Sequence, residues 1–358
     1  MLSLVIDTLL IAVATIVAGA TLIARIPSHW WWLRACEFPR VQIGLIGLFC
    51  ALASPLASDS LTPWIATAGL VVFAIQAFYV LPWTPLWPVQ VMAAKGDAPE
   101  RCLTLLIANV LTPNRRSDDL LEIIAERDPD MVLTLESDQW WGDKLDAGLA
   151  DGYPYAVRVP LDNLYGMHLY SRRPLIDPEV KWLIQDDIPS IHCEVELESG
   201  DRIRFRALHP RPPAPSESEE SLWRDAELSL VAEEIHQNPV PTLVAGDLND
   251  VAWSRSTRLF CRVSGMLDLR RGRGMFSSFH AGYPFLRWPL DHVFVSEHFT
   301  LARMDRLRAF GSDHFPILAT VCYRPSRADE HDTPDADNEE HHDARETVEE
   351  ARERDQSS

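Results

Sequence analysis

The chain has 358 residues and a formal net charge of −19, with 33 basic side chains against 52 acidic ones. An acidic chain lacks the basic footprint that tight, sequence-independent binding to long nucleic acid requires. Its six cysteines form no C-x-x-C pair. They predict neither a disulfide framework nor a zinc site, and they leave the compartment open.

Apolar stretches near the amino terminus predict three transmembrane helices. They run from Leu2 to Ala24, from Val41 to Ala57 and from Leu61 to Leu81, each near the roughly 20 residues that cross a hydrocarbon core. A signal peptide is the alternative for the first stretch, but it lacks a basic region before it and two more apolar stretches follow. We therefore predict a multi-pass anchor in the cell membrane over residues 1–92 and a linker over residues 93–100.

The orientation of this anchor follows from its arginines. Arg25, Arg34 and Arg40 lie between the first and second stretches, whereas the amino terminus and the turn Ser58–Ser60 carry no Lys or Arg. The positive-inside rule therefore predicts that the arginine-bearing loop is cytoplasmic. With three spans, the large polar part of the chain is expected on the same side.

Residues 101–324 alternate between apolar runs and helical periodicity. The runs that predict strands are Leu103–Val110, Met131–Leu135, Gly166–Tyr170, Ile203–Leu208, Thr242–Ala245, His292–Val295 and Ile317–Val321. Helical periodicity covers Ser117–Arg127 and Glu219–His236. The four prolines in residues 209–216 predict a loop that leaves a strand end. This alternation predicts one α/β domain with helices packed outside strands.

Polar side chains stand where the first two predicted strands end. Asn109 ends the first strand, and Glu136 directly follows Val132–Leu135. A carboxylate at the end of a buried strand is costly unless it is paired or binds a cation, so Mg²⁺ is a reasonable partner. A helix-capping or turn role is the alternative for Glu136.

Later strand ends carry further acids, amides and imidazoles. His209 follows a strand, and Asp247 and Asn249 are spaced so that both can lie on one side of an extended chain. There the carboxylate could orient water while the amide donates to a phosphate oxygen. Asp291 could pair with His314 and fix its tautomer and charge.

The carboxyl-terminal segment, residues 325–358, has a different composition. It holds thirteen acidic residues against four arginines and almost no apolar side chains. Such a segment cannot bury a core, so we predict a disordered acidic tail.

Several short motifs occur in an order and spacing that resemble one superfamily. They are Asn109-Val110, Leu135-Glu136, Leu208-His209-Pro210, Gly246-Asp247-Leu248-Asn249, Leu290-Asp291-His292 and Gly311-Ser312-Asp313-His314-Phe315-Pro316-Ile317. Over residues 101–324 the chain resembles the endonuclease/exonuclease/phosphatase superfamily, which includes deoxyribonuclease I, neutral sphingomyelinases and inositol polyphosphate 5-phosphatases. The resemblance implies an α/β (α+β) four-layered sandwich with two packed β-sheets flanked by helices, here preceded by three transmembrane helices.

The resemblance also implies a metal site. Glu136 would be the principal ligand of Mg²⁺, for which Mn²⁺ is the expected substitute. Asn109 and Asp313 would lie near the metal and the phosphate. The membrane anchor and the acidic tail lie outside the resemblance.

The remaining roles concern the attack of water on the phosphate ester. Asp247 would orient or deprotonate the water, and Asn249 and His209 would stabilise the developing negative charge. His314, paired with Asp291, would contact the phosphoryl group. His209 stands where some members of the superfamily have tyrosine.

Arginines near these motifs are candidate phosphate contacts, with an unremarkable surface role as the alternative. Arg115 follows the first strand and Arg211 follows His209, and these two are the predicted substrate-binding residues. The other candidates are Arg116, Arg270, Arg271 and Arg273.

We therefore predict a membrane-anchored, Mg²⁺-dependent phosphoesterase that cleaves a phosphodiester or a phosphomonoester by direct attack of water. Its substrate is a nucleic acid, a phospholipid headgroup or a phosphorylated metabolite, and the anchor favours lipid while the charge gives no support to nucleic acid. The alternative is a catalytically silent membrane scaffold of the same fold. The whole polar set speaks against the scaffold, since a scaffold has no use for it.

Overall fold

The computed structural model describes residues 1–96, 98–214 and 217–355. Position 97 of the predicted linker, positions 215–216 of the predicted proline loop and positions 356–358 of the predicted tail lie outside them. The helices are α1 (Leu2–Ile23), α2 (Trp31–Arg34), α3 (Arg40–Ala53), α4 (Thr62–Val80), α5 (Ser117–Arg127), α6 (Gln139–Leu149), α7 (Leu222–Gln237), α8 (Arg255–Ser264) and α9 (Asn338–Asp355). The strands are β1 (Cys102–Asn109), β2 (Met131–Leu135), β3 (Tyr155–Val159), β4 (Met167–Ser171), β5 (Leu175–Trp182), β6 (Pro189–Glu196), β7 (Arg202–Ala207), β8 (Thr242–Asp247), β9 (Leu267–Asp268), β10 (Asp291–Val295), β11 (Phe299–Arg306) and β12 (Ile317–Tyr323).

The strands form two six-stranded sheets, in the orders β11-β12-β1-β2-β4-β3 and β5-β6-β7-β8-β10-β9. Apolar side chains of both sheets meet in one core, represented by Leu105, Leu133, Phe205, Ala245 and Val293. The outer face of the first sheet packs against α5 and α6, and that of the second against α7 and α8. The four-layered sandwich with helices outside two sheets is confirmed.

The predicted strands correspond to inner, buried ones. β2 is buried at every position, and β1 and β2 pair in parallel, as do β7 and β8. Strands with exposed residues, such as β3 and β5, were not predicted because charged side chains interrupt their apolar pattern. The helix predicted over Ser117–Arg127 is α5, and the one predicted over Glu219–His236 is α7.

The amino-terminal helices supply two clear candidate membrane spans. Ser3–Ile23 and Thr62–Trp83 are long and apolar enough to cross a bilayer, and a third span results if the bent pair Trp31–Glu37 and Arg40–Leu56, which meet at 64°, counts as one. α3 and α4 pack so closely at Gly69 that a Cβ there would lie 2.4 Å from the carbonyl oxygen of Gly47. Small residues of this kind let helix backbones approach each other in a membrane.

The segment predicted to be the anchor, residues 1–92, packs directly on the body, residues 101–324. Trp253 Nε1 donates to the carbonyl oxygen of Glu37 at 2.8 Å, and Trp83 Nε1 donates to Asp268 at 2.9 Å. The Ala94 N–H donates to the Leu301 carbonyl at 2.8 Å. Hydropathy does not reveal which polar loops pack together, so these contacts could not be predicted from the sequence.

The acidic tail, for which the sequence predicts disorder, contains the helix α9 in the structure. Within α9, Ala344, Val348 and Ala351 are buried against the body. They recur at helical spacing and form a narrow apolar stripe on an otherwise charged helix. Arg262 pairs with Glu340, and Arg255 pairs with Asp343 at 3.2 Å.

A disulfide joins Cys102 at the start of β1 to Cys322 near the end of β12, although the sequence predicts no disulfide framework. The two residues face each other directly in the antiparallel pairing of these strands. They are 220 residues apart in the chain, so no local spacing could have revealed the pair.

Candidate active site

The predicted site residues come together at one edge of both sheets. Asn109 ends β1, Glu136 follows β2, and Asp247 ends β8. Asp291 begins β10 directly opposite Asp247, because these strands pair in antiparallel fashion. His209 lies two residues beyond β7, which runs parallel to β8. The topology therefore delivers side chains from distant parts of the chain to one place.

Asn109 connects the two sheets through its side-chain amide. Its Nδ2 donates to Glu136 Oε1 at 2.7 Å and to Asp247 Oδ2 at 3.1 Å. Its Oδ1 accepts from the Leu111 N–H at 3.0 Å, which fixes the orientation of the amide. One buried amide thus holds the predicted metal ligand beside the predicted water-orienting carboxylate.

His314 lies between two carboxylates. Its Nδ1 is 2.8 Å from Asp291 Oδ2, and its Nε2 is 3.5 Å from Asp247 Oδ2. Burial would lower the pKa of His314, but Asp291 and Asp247 reverse this effect and raise it to about 10. The imidazole is therefore positively charged at neutral pH.

Asp247 is ionised in this setting. Burial alone would raise its pKa, but the imidazoles of His314 and His209 and the hydrogen bonds that it accepts lower the pKa below its ordinary value. One of these bonds comes from the Asn249 N–H, at 2.9 Å from Asp247 Oδ1. Asp247 is thus a buried anion held in a fixed orientation.

The backbone at Gly246 brings the end of β8 close to the end of β7. Gly246 has φ +147°, and a Cβ there would lie 1.9 Å from the carbonyl oxygen of Leu208. Asn249 has φ +51°, a left-handed conformation that Asn tolerates better than most residues. Its Nδ2 donates to the Pro210 carbonyl at 3.0 Å, which ties this turn to the segment that carries His209.

His209 is a buried neutral imidazole. Burial lowers its pKa to about 4, although Asp247 works in the opposite direction. Its Nδ1 has no hydrogen-bond partner in the described part of the chain, and its ring centroid lies 5.5 Å from that of Tyr165. A neutral imidazole with a free ring nitrogen can donate or accept one further hydrogen bond.

The residues around Glu136 fit a divalent cation. Burial raises the pKa of Glu136 to about 7, with Asp247 and Asp313 adding to the effect and Asn109 and His314 opposing it. Glu136 Oε2 is buried without a hydrogen-bond partner among the residues described. A buried carboxylate oxygen without a donor is costly, and a hard cation relieves that cost.

A second group of ligand atoms lies beside Glu136. Single ligand atoms of Asp247, Asp291 and His314 all lie within 4.8 Å of one another. His314, however, already contacts both carboxylates and compensates their charge. Glu136, whose second oxygen has no such partner, is the better candidate for the principal metal ligand.

The predicted substrate arginines are held in ion pairs. Arg115 pairs with Asp138 through contacts of 2.9 and 2.6 Å, and Arg211 pairs with Asp187 at 2.7 Å. Arg270, another candidate phosphate contact, is completely buried and pairs with Asp268 at 2.8 Å. It also contacts His292 of β10 at 2.6 Å, so these contacts and its burial favour the alternative of a structural role.

Other residues complete the site without having been singled out as participants. Ser312 Oγ donates to the Asn109 carbonyl at 2.7 Å and accepts from the His314 N–H at 3.0 Å. Phe279 places its ring 5.0 Å from that of His314. Ser312 lies within a motif quoted above, whereas nothing in the local sequence marks Phe279, which reaches the site through a long loop.

Solved structures with a similar fold include TDP2 from D. rerio complexed with a single-strand DNA product, at TM-score 0.51 and 17% identity over 62% of this chain and 98% of that one. The human Nocturnin catalytic domain with bound sulfate matches at TM-score 0.51 and 16% identity over 62% and 95%. A mannosyl-6-phosphatase from Bacteroides thetaiotaomicron matches at TM-score 0.50 and 19% identity over 62% and 100%. At these identities the likeness shows a shared fold.

A comparison with curated proteins finds no match. The sequence profile of the Endonuclease/Exonuclease/phosphatase family matches residues 106–314, which is more than half of the chain and includes every predicted site residue. The members of this family are metal-dependent nucleases and phosphatases. The match agrees with the two-sheet fold and with the polar set at the sheet edge, and the chain belongs to the endonuclease/exonuclease/phosphatase family.

Proposed function

We propose that this chain is a membrane-anchored, Mg²⁺-dependent phosphoesterase that hydrolyses a phosphodiester or a phosphomonoester by direct attack of water. The observation that carries the proposal is the hydrogen bonding of Asn109 to both Glu136 and Asp247. This places a carboxylate with an unsatisfied oxygen next to an ionised carboxylate beside a charged imidazole. Such a set suits phosphate chemistry, in which an anionic substrate must be neutralised while water is held for attack.

Asp247 is the group that orients the attacking water. It accepts hydrogen bonds from Asn109 and from the Asn249 N–H, so its carboxylate cannot rotate freely. A water that donates to this carboxylate turns an oxygen lone pair towards the phosphorus. The lowered pKa makes Asp247 a weak base, so orientation is its main contribution. The water proton passes to Asp247, and from there to solvent, as the new oxygen–phosphorus bond forms and the bond from phosphorus to the leaving ester oxygen breaks.

His314, Asn249 and His209 stabilise the charge that develops on the phosphoryl oxygens. His314 carries a positive charge in a buried site, where an electrostatic interaction is stronger than in water. Asn249 Nδ2 uses one hydrogen on the Pro210 carbonyl and keeps a second for the substrate. His209 keeps an unpaired ring nitrogen at the same edge.

Glu136, Asn109 and Asp313 are the residues that would hold the divalent ion. When bound, Mg²⁺ or its substitute Mn²⁺ neutralises phosphate charge and polarises the bond to the leaving oxygen. Without a cation, Glu136 is a partly protonated acid at neutral pH, since its pKa is raised to about 7. Cation binding is therefore expected to release a proton from Glu136.

Membrane anchoring is the second part of the proposal. Two helices that can span a bilayer and a bent pair that can form a third span support it. With three spans, the loop between α1 and α3 shares the side of the body, in agreement with its contacts to Trp253. The arginines of this loop favour the cytoplasm, whereas a disulfide between Cys102 and Cys322 is typical of an oxidising compartment.

We assign the body to the cytoplasmic side, and an introduced thiol tests this assignment. Glu179 is well exposed on β5, with 64% of its side chain accessible. In intact cells, Glu179→Cys should resist a membrane-impermeant maleimide and react only after lysis. Labelling before lysis would place the body outside the cytoplasm, in line with the disulfide.

Activity is tested with the full-length protein in detergent on aryl phosphates, nucleic acids and phospholipids, with and without Mg²⁺. We expect metal-dependent turnover of at least one ester class, and its loss in Asp247→Asn. Asp128→Asn, at an exposed carboxylate before the start of β2 and so at the opposite end from the site, is the matched control. Metal-independent turnover, or none in a folded protein, would favour the silent scaffold.

A further inference from the structure

A loop beside the site carries an exposed apolar tip. The mouth loop, residues 280–287, exposes 59% of Tyr283, 85% of Phe285 and 47% of Leu286. At its base the Phe279 N–H donates to the Trp288 carbonyl at 3.0 Å, so the loop is closed by a backbone pair. Large apolar side chains grouped at such a tip are costly in water and mark a surface that contacts something else.

The mouth loop begins at the catalytic edge. The Phe279 ring lies 5.0 Å from the His314 ring, and the two residues also form a backbone bridge. The Ala281 N–H donates to the Asp313 carbonyl at 2.6 Å. Whatever the loop tip contacts is therefore held next to the proposed phosphate site.

The same loop contacts the membrane anchor. Gln42, in the first turn of α3, donates from Nε2 to the Phe285 carbonyl at 2.8 Å. Trp288 packs edge-on against Phe38, just before α3, with ring centroids 5.8 Å apart. Further along α3, apolar side chains are exposed, as expected for a lipid-facing helix: Leu45, Ile46, Phe49 and Leu52. The loop tip thus lies where α3 would enter the bilayer.

Two arginines flank the mouth, and among the residues that the structure describes they have no acidic partner. Arg287 and Arg306 place their guanidinium groups 5.0 and 4.7 Å from the ring of Phe315, which follows His314. Their side-chain donors reach the backbone carbonyls of Ala281 and Ser277, and neither pairs with a carboxylate in the described residues. Arg115 and Arg211, by contrast, are held in ion pairs. The guanidinium groups of Arg287 and Arg306 can therefore bind an anionic group at the entrance.

We propose that the mouth loop lies in the headgroup layer of the membrane that holds the anchor, and that the site takes the phosphate ester of a membrane lipid. This inference rests on the proposed phosphoesterase function and names its substrate class. Aromatic and apolar side chains beside cationic ones are the composition that binds a bilayer surface. The exposed aromatic tip could also stack on nucleic acid bases, but the acidic body opposes this reading.

The test compares lipid and soluble substrates with one protein. The full-length chain is reconstituted into phosphatidylcholine vesicles containing phosphatidic acid, a monoester, and phosphatidylglycerol, a diester. The soluble probes are p-nitrophenyl phosphate and bis(p-nitrophenyl) phosphate, and single-stranded DNA is a third arm. The variant is Phe285→Ser combined with Leu286→Ser, which changes exposed positions and therefore has little effect on folding.

The matched control is Tyr155→Ser. Tyr155 is also exposed, at 39%, but it pairs through Ser171 with Met131 at the start of β2, the opposite end from the site. We expect the double variant to lose about tenfold or more in lipid turnover, since it removes two apolar side chains from the bilayer. Soluble esters should be turned over as by the unaltered protein, and Tyr155→Ser should change neither rate.

Four results would overturn the inference. Turnover of aryl phosphates without turnover of either lipid would leave the proposed function standing and remove the lipid substrate. An equal loss on lipid and soluble esters would show that the loop acts on the site and not on the bilayer. A loss confined to DNA would assign the tip to nucleic acid. Inactivity on every ester would instead refute the proposed function, and the inference with it.

Discussion

The environments of single residues at the sheet edge shift their protonation in different directions, which suits the separate roles proposed for them. Glu136 has an unsatisfied oxygen and a pKa raised to about 7, whereas burial gives His209 a pKa of about 4. His314 is charged because two carboxylates surround it. Carboxylates and imidazoles held in different states within one site allow cation binding, water orientation and charge stabilisation to occur together.

The metal assignment predicts the behaviour of Glu136→Gln. The amide is nearly isosteric but removes the charge that competes with water for Mg²⁺, so activity should be lost mainly through weaker metal binding. Excess Mg²⁺ should restore part of the rate in a titration of turnover against metal. Glu179→Gln, on an exposed strand, is the control. Near-normal turnover of Glu136→Gln at low Mg²⁺ would remove Glu136 from the metal site.

The water-orienting role predicts a different outcome for Asp247→Asn. Its kcat should fall by about 10³-fold or more while KM changes little, because the carboxylate is needed at the transition state and not for binding. His209→Ala and His314→Ala should also lower kcat. Steady-state kinetics beside a thermal unfolding curve separates this effect from loss of folding. A change confined to KM would reassign Asp247 to substrate binding.

Residues in motifs could be singled out from the sequence as candidates, whereas their contact partners could not. Glu136, Asp247 and His314 lie in short patterns at the ends of apolar strands, which can be recognised locally. The ion pair of Arg211 with Asp187 could not be predicted, because it depends on how two loops meet in space. For Arg287, the absence of an acidic partner among the described residues could not be predicted from its neighbours in the sequence either.

At the scale of elements, close approach of strand ends builds the site. β7 and β8 run parallel, and the Leu208 carbonyl occupies the space that a side chain at position 246 would need. This approach carries His209 to Asp247. A glycine there is required by contact with backbone as well as by its positive φ.

Gly246→Ala should therefore be severe. The new Cβ would lie 1.9 Å from a backbone oxygen, so strand ends must separate, at a cost of about 3 kcal/mol or more together with loss of turnover. Gly200→Ala is the matched control, because it has positive φ but no atom within 4 Å of the added Cβ; we expect a cost of about 1 kcal/mol there. Thermal unfolding and turnover measure both. Equal effects in the two variants would contradict the packing argument.

The strands β2, β4 and β8, which are buried at every position, were predicted, but β6, which is buried at six of its eight positions, was not. β2 is buried at every position and its bounds are those predicted, whereas β5 is largely exposed and was not predicted. α9 was missed because its apolar stripe consists of two alanines and one valine among acidic residues. Small apolar side chains add little to the hydrophobicity of a segment, but they can still pack closely against a neighbouring helix.

For the whole molecule, buried neutral histidines predict acid sensitivity. Burial lowers the pKa of His168 to about 4 and that of His192 and His292 to about 3. Below the ordinary His pKa of about 6.5, the unfolded chain binds protons that the folded chain does not. Stability should therefore decrease as pH falls from about 6.5 towards 4, by roughly 3 kcal/mol for a group such as His168.

Unfolding temperature measured across this pH range tests the prediction. His168→Gln removes one titrating group and should make the dependence shallower, whereas His236→Gln, at an exposed position, should leave it unchanged. A pH dependence of the same slope in His168→Gln would show that this histidine is not the cause.

At high pH, His314 should have the opposite effect. Its raised pKa means that the charged imidazole stabilises the folded protein, and this contribution should be lost as pH rises through about 10.

The boundary between anchor and body is the feature that sequence reasoning defined least well. Hydropathy separates apolar spans from a polar domain, but it cannot show that Trp83 and the loop around Arg34 pack on that domain. Arg34 lies 3.7 Å from Asp250, which also contacts Arg224 at 3.1 Å. Asp250 directly follows Asn249, so the anchor supports the turn that carries a site residue.

The sequence predicts that a fragment beginning at Lys95 is soluble, folded and active on small esters, whereas these contacts predict that it is destabilised. Removing the anchor would uncover Trp253 and leave Asp250 with one fewer cation, which is costly for a buried carboxylate.

In the full-length protein, Trp83→Ala should lower stability by about 3 kcal/mol or more, because it removes a buried ring and the hydrogen bond to Asp268. Trp87→Ala, at a ring that is 39% exposed, should have a much smaller effect. Sedimentation, thermal unfolding and Mg²⁺-dependent hydrolysis compare fragment, variants and intact chain in the same detergent. A fragment that unfolds at the temperature of the full-length protein and hydrolyses aryl phosphates at its rate would show that the anchor contacts are dispensable, and that the boundary near Lys95 separates an independent catalytic unit.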